Sequence, residues 1–180
     1  MIMQFAIWIE NLALFTDIRG SGYEYPVILS LHLTGLAFFG GLIVITDLRM
    51  LGWILRDQPI ASVVNALRWP KRIGFLWVAT CGFLLAMSKA EGYFLNTFFQ
   101  MKMTLLFLVF VHAMIFRPLV YNHPEKLDGL ARIPARAKLA GALSLVLWFS
   151  ILSCGRGIGY LNSPSGLHYT KLLKHVFRLS

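Results

Sequence analysis

The sequence predicts an all-α integral membrane protein: a four-helix bundle with an N-terminal interfacial helix and an amphipathic C-terminal tail. Three observations predict it. The 180 residues are 57% hydrophobic and only 14% charged, with a mean hydropathy of +0.66; a soluble domain holds about 45–50% apolar and about 25% charged residues. The stretch from Pro26 to Thr46, PVILSLHLTGLAFFGGLIVIT, carries no formal charge. At 1.5 Å per residue it matches the ~30 Å hydrocarbon core of a bilayer. Finally, the basic residues behind the net charge of +9 gather at the ends of apolar segments, where cations meet headgroups and set orientation. No recognition motif accompanies that charge, so membrane lipid, and not nucleic acid, is the expected partner.

Residues 2–16 are apolar but too short to span, and Gln4, Glu10 and Asn11 interrupt them. With Trp8 they suit a helix in the headgroup zone. The N-terminus lacks the basic region and cleavage site of a signal peptide, so it is expected to stay in the mature chain. A turn-rich connector leads to Pro26, a favourable residue in a first helical turn. The first span covers about 26–46, and its Gly35, Gly40 and Gly41 permit close approach of a neighbour. Residues 47–72 form a basic loop with a short amphipathic helix after Pro59, its stripe being Val63, Val64 and Leu67. The second span, about 73–88, is short and relies on snorkelling Lys71, Arg72 and Lys89. After an aromatic interfacial stretch the third span covers about 101–120, with Lys102 at its start and His112 inside. A second basic loop precedes the fourth span, about 137–160, with Arg156 near its end. The bundle therefore occupies 1–160. In the tail, 161–180, Leu172, Leu173, Val176 and Phe177 share one helical face, which suits anionic lipid or a larger partner; a frayed terminus fits equally.

Four spans put both termini on one side. Arg49, Arg56, Arg68, Lys71, Arg72, Arg117, Lys126, Arg132, Arg136 and Lys138 fall on the other side. The positive-inside bias assigns these loops to the cytoplasm and both termini to the outer side.

His32 is the one side chain of the first span that titrates near neutral pH, and such a group inside a span marks a functional site by default. His112 lies on the parallel third span. Counted from Pro26 and Lys102, the two fall at similar depth in the outer half, where two histidines can supply both axial ligands of haem b. Gly35, on nearly the same face as His32, would admit a flat ring. Arg19, Lys102 and Arg156 gather at the same end, where propionates need cations. The competing reading is structural: histidines hydrogen-bond across helix interfaces, and terminal cations snorkel to headgroups. Cys81 and Cys154 read as small buried hydrophobes. Copper at Met101, Met103 and His168 is a weaker alternative, and His123 sits in a solvated loop. No phosphate loop, nucleophile elbow or paired intramembrane carboxylates occur. With 8 acidic residues, none at the centre of a span, a proton relay is not expected.

The segments GLIVITDLRMLG (41–52), MKMTLLFLVFVHAMIF (101–116) and AKLAGALSLVLWFSILSCGRGIGY (137–160) carry a resemblance. They are similar to a family of small, uncharacterised bacterial four-helix inner-membrane proteins, cytochrome-b-like in outline. The likeness runs to Tyr160 and takes in Trp8, Arg19, the Pro26–His32 stretch and Asp47-Leu-Arg49. It implies the fold and a bacterial inner-membrane location, and it favours His32 as a ligand. Two features depart from the family pattern: Leu29 or Ser30 stands where an acidic residue precedes the first-helix histidine, and the third-helix histidine usually lies nearer Arg117. The function expected is a haem-b-binding subunit passing electrons between the quinone pool and an outer-face redox partner. The alternative is a non-redox structural subunit anchoring a larger membrane complex.

Overall fold

The computed structural model describes residues 2–128, 130 and 132–161. The tail beyond Leu161, with His168 and His175, lies outside the described residues. Among these the protein is all-helical. Three helices are long and apolar enough to cross a membrane: α3 (Glu24–Leu51), α7 (Thr97–Phe116) and α9 (Ala135–Leu161, apolar over Ala135–Gly159). A fourth long helix, α5 (Arg68–Met87), equals α7 in length but carries Arg68, Lys71 and Arg72 in its first five residues. Pro70 is tolerated there because first-turn N–H groups have no intrahelical acceptor.

The expected single N-terminal helix is two, α1 (Ile2–Glu10) and α2 (Ala13–Gly20), because Leu12 takes an extended conformation between them. The helix expected after Pro59 is α4 (Ile60–Ala66), which buries Val63 and Val64. A short α6 (Ala90–Phe94) precedes α7, whose first turn is capped by the Asn96 side chain accepting from Phe99 N at 3.2 Å. α3 ends at Gly52, whose φ of +76° suits a residue without a Cβ. Gly52 N and Trp53 N then donate to the Arg49 and Leu48 carbonyls.

α7 passes into a π-turn, Arg117–Tyr121. Pro118 has no N–H to continue the α-helical ladder, and the wider ring closes through Asn122 N donating to Arg117 O at 2.8 Å. A short α8 (Glu125–Asp128) follows. Its Asp128 caps α4 from outside, accepting from the Ile60 and Ala61 amides.

The long helices form an arc in the order α5–α3–α9–α7: α3 packs against α5 and α9, and α7 packs against α9. α1, α2 and α6 close one end, the cap end. There Ala6 and Ala90 are fully buried, and Glu10 ties the three helices by pairing with Arg19 and accepting from Glu91 N. At the opposite, loop end, Met50, Ile60, Val64, Val120, Leu127, Ala137 and Ala140 make one buried cluster. Arg49 straps the loop to α3 by donating from Nε and Nη2 to Gln58 O at 3.1 and 2.6 Å.

Helix approach rests on small residues. A Cβ on Gly141 would stand 2.9 Å from the Asp47 carbonyl oxygen, whereas one on Gly40 would meet nothing within 4 Å. Backbone cannot yield as a side chain can, so Gly141→Ala is expected to destabilise by about 1–3 kcal/mol. Gly40→Ala should be neutral or slightly stabilising, since alanine is the better helix former. Thermal-unfolding midpoints of the two variants in one detergent check the contrast.

Candidate functional site

His32 sits on α3 with its ring turned onto α5 and is 8% exposed. Its Nδ1 lies 3.1 Å from the Val78 carbonyl oxygen. A carbonyl only accepts, so Nδ1 carries the proton, and in the neutral ring Nε2 keeps its lone pair. The ring packs closely on Gly82, where a Cβ would come 2.9 Å from Cε1. Gly35 serves the same interface: its missing side chain admits Val78 and Trp77, 3.0 and 3.4 Å from where a Cβ would be. The two residues expected to cradle a cofactor thus hold α3 to α5.

His112 lies elsewhere. Its Nε2 donates to the Ala140 carbonyl of α9 at 3.0 Å, and its ring packs on Phe116 at 4.8 Å. The neighbouring Gly141 touches Asp47 and Met50, which sets His112 at the level of Asp47 near the loop end. Asp47 is fifteen residues beyond His32 on α3, about 20 Å along the axis. The expectation that the two histidines lie at similar depth is therefore not met. The physical reason is that α7 starts lower than α3: its Phe98 packs on Gly157 and its Lys102 reaches Gly155, with Nζ 3.7 Å from where a Cβ there would stand. Lys102 is the α7 residue level with His32.

Of the three expected cations, Lys102 is near enough for its charge to act on His32, and it interacts with Cys154 as well. Arg19 is engaged by Glu10 within the cap. Arg156 follows Gly155 on α9 and is exposed.

The densest polar constellation was missed from the sequence. Asp47 is 2% exposed, and its Oδ2 has no partner among the described residues. Its Oδ1 accepts from Tyr121 Oη at 3.3 Å, and Ser144 of α9 lies beside it. Lys71, from α5, donates to Thr46 Oγ1 at 3.0 Å, and its charge faces Asp47. Arg68 holds the π-turn from the other side by donating to Tyr121 O at 3.2 Å. Burial first, then the Asp47 carboxylate, holds the Tyr121 phenol far above the usual phenol range. The available signal was Asp47-Leu-Arg49 at the end of an uncharged run, which reads as a span boundary although α3 continues to Leu51.

Removing one member of a buried charged set leaves the other uncompensated. Asp47→Ala and Lys71→Met should each destabilise by about 3–5 kcal/mol, and the double variant by less than their sum, because the two sites share one network. A double-mutant cycle on thermal midpoints measures this. Tyr121 binds its proton more tightly folded than unfolded, so its stabilisation is present below about pH 10 and is lost as pH rises further. Thermal midpoints from pH 8 to 11 should accordingly fall less steeply in Tyr121→Phe than in the unmodified chain.

No curated protein and no solved structure matches the sequence. A family model does match over residues 8–161, from Trp8 through the last turn of α9, and so takes in His32, Asp47, Lys71, Tyr121 and Lys102 together. The chain belongs to DUF6644, a family of unknown function.

Proposed function

We propose that the chain is a non-redox structural subunit that anchors a larger complex in a bacterial inner membrane. In this reading α5 is a fourth span, completed by its snorkelling cations; the basic loops face the cytoplasm and both termini face outward. One observation carries it: both intramembrane histidines are spent on backbone carbonyls of the neighbouring helix, at levels about 20 Å apart. Polar groups used this way fasten helices to one another. The partner's place is α7, which buries no residue over its whole length and presents Phe107, Phe110 and Met114 outward.

A second reading has one observation in its favour. Nδ1 donation to Val78 O is the orientation in which a histidine offers Nε2 to a metal. Under it His32 would be the only one of the two histidines to ligate a haem b, with Lys102 beside it, and the subunit would pass electrons between the quinone pool and an outer-face redox protein.

An optical spectrum of the purified protein, oxidised and then dithionite-reduced, separates the two. The structural reading expects no haem band after expression with full haem supply, and a lowered thermal midpoint in His32→Ala. A reduced haem band that disappears in His32→Ala would overturn it in favour of the second.

A further inference from the structure

The direct bonds around Asp47 leave one polar set incomplete. Its Oδ2 is sealed from solvent and has no partner among the described residues, and a buried acceptor so placed calls for a hydrogen-bond donor. Lys71 supplies charge but not contact. Its Nζ donates one proton to Thr46 Oγ1 at 3.0 Å, and an ammonium has two more N–H donors to give. The Lys71 charge acts on Asp47, yet the ion pairs among the described residues are Arg19–Glu10 and His123–Glu125. Lys71 and Asp47 therefore attract each other across a gap. Ser144, itself buried, faces the carboxylate from α9 with a hydroxyl that can both donate and accept.

The occupant of that gap must accept from an ammonium and donate to a carboxylate. A metal cation accepts nothing and would meet Lys71 as a like charge, while an anion would be repelled by Asp47. Water does both, and keeps a proton and a lone pair for Ser144. A buried water makes about three hydrogen bonds to groups otherwise unsatisfied, which is the number of side chains converging here. Two bonds of about 2.8 Å meeting at one oxygen hold their outer atoms about 4.5 Å apart. That separation is too long for direct pairing and well within the reach of charge. The buried cluster of Met50, Val120, Ala137 and Ala140 packs at the same end of the molecule, and Asp47 is only 2% exposed, so the site is cut off from bulk solvent.

We propose that a single water molecule is built into this site: it accepts from Lys71 Nζ, donates to Asp47 Oδ2 and bonds Ser144 Oγ. The molecule joins α5, α3 and α9, and the Asp47–Lys71 pair that it bridges takes no sodium. This inference goes beyond the anchoring role and holds whether or not the chain carries a haem.

The test is water-edited solid-state NMR on the full chain, carbon-13 labelled, in phosphatidylcholine liposomes. At short mixing, magnetisation from water should reach the Asp47 carboxyl carbon several-fold more strongly than the Ile151 methyl carbons. Ile151 is equally buried, and it lies on the same helix as Ser144. Lys71→Met removes the donor and should abolish the transfer to Asp47. Should that variant fail to fold, Ser144→Ala serves instead, with the transfer reduced. Transfer to Asp47 no stronger than to Ile151, or transfer untouched by the substitutions, would overturn the proposal. So would an Asp47 carboxyl shift that moves when sodium is exchanged for choline, since a cation would then hold the site.

Discussion

The structure depends most on keeping a carboxylate out of water. Asp47 lies in an otherwise apolar helix, and an acid there is tolerated only where it faces the interior and finds partners. Meeting that condition draws in every long element. α5 brings Lys71, α9 brings Ser144 and the glycine that lets the backbones meet, and the end of α7 is reshaped so that Tyr121 can donate. The hydrophobic cluster of the loop end closes around this group. Two residues on, Arg49 ties down the loop that covers it. The Asp47-Leu-Arg49 segment therefore does two jobs on two faces of one helical turn.

Three polar residues at helix contacts share a pattern: each lies against a small residue on the next helix. His32 lies on Gly82, His112 bonds at Ala140, and the Asp47 backbone meets Gly141. In lipid, helices gain nothing from burying apolar side chains against each other, so close packing and hydrogen bonds to exposed carbonyls hold them together. Small residues supply the approach and the polar side chains supply the bond. α7 departs from the pattern, with one such contact near each end of α9 and an uncovered outer surface between.

The helical class, the first and third apolar helices and the short α4 were legible because they rest on hydropathy, length and Pro59, all local properties. The levels of the helices were not. Pro26 and Lys102 both look like one membrane boundary, but the Lys102 ammonium lies inside, near the level of His32, because α6 and the cap hold the start of α7 below that of α3. The Lys102 charge is consequently felt at His32, while His112 drops to the other end. Asp47 is illegible for a related reason: a charge terminating an apolar run looks like an exit to water, and only the partners from α5, α9 and the π-turn reveal it as interior.

The π-turn at Arg117–Tyr121 sets the count of residues between two anchors. His112 must meet Ala140 and Tyr121 must meet Asp47, nine positions apart along one continuous helical rod. In regular α-helix nine positions would point the two side chains about 180° apart; a turn that absorbs one extra residue brings them within about 80°. Apart from the anchors His112 and Tyr121 and the Pro118 that opens the turn, side chains in this stretch can vary in kind without disturbing that phase. An insertion or deletion of a single residue cannot, since either length error would turn one anchor into lipid. Between its fixed residues the segment is thus tolerant in composition, and throughout it is strict in length.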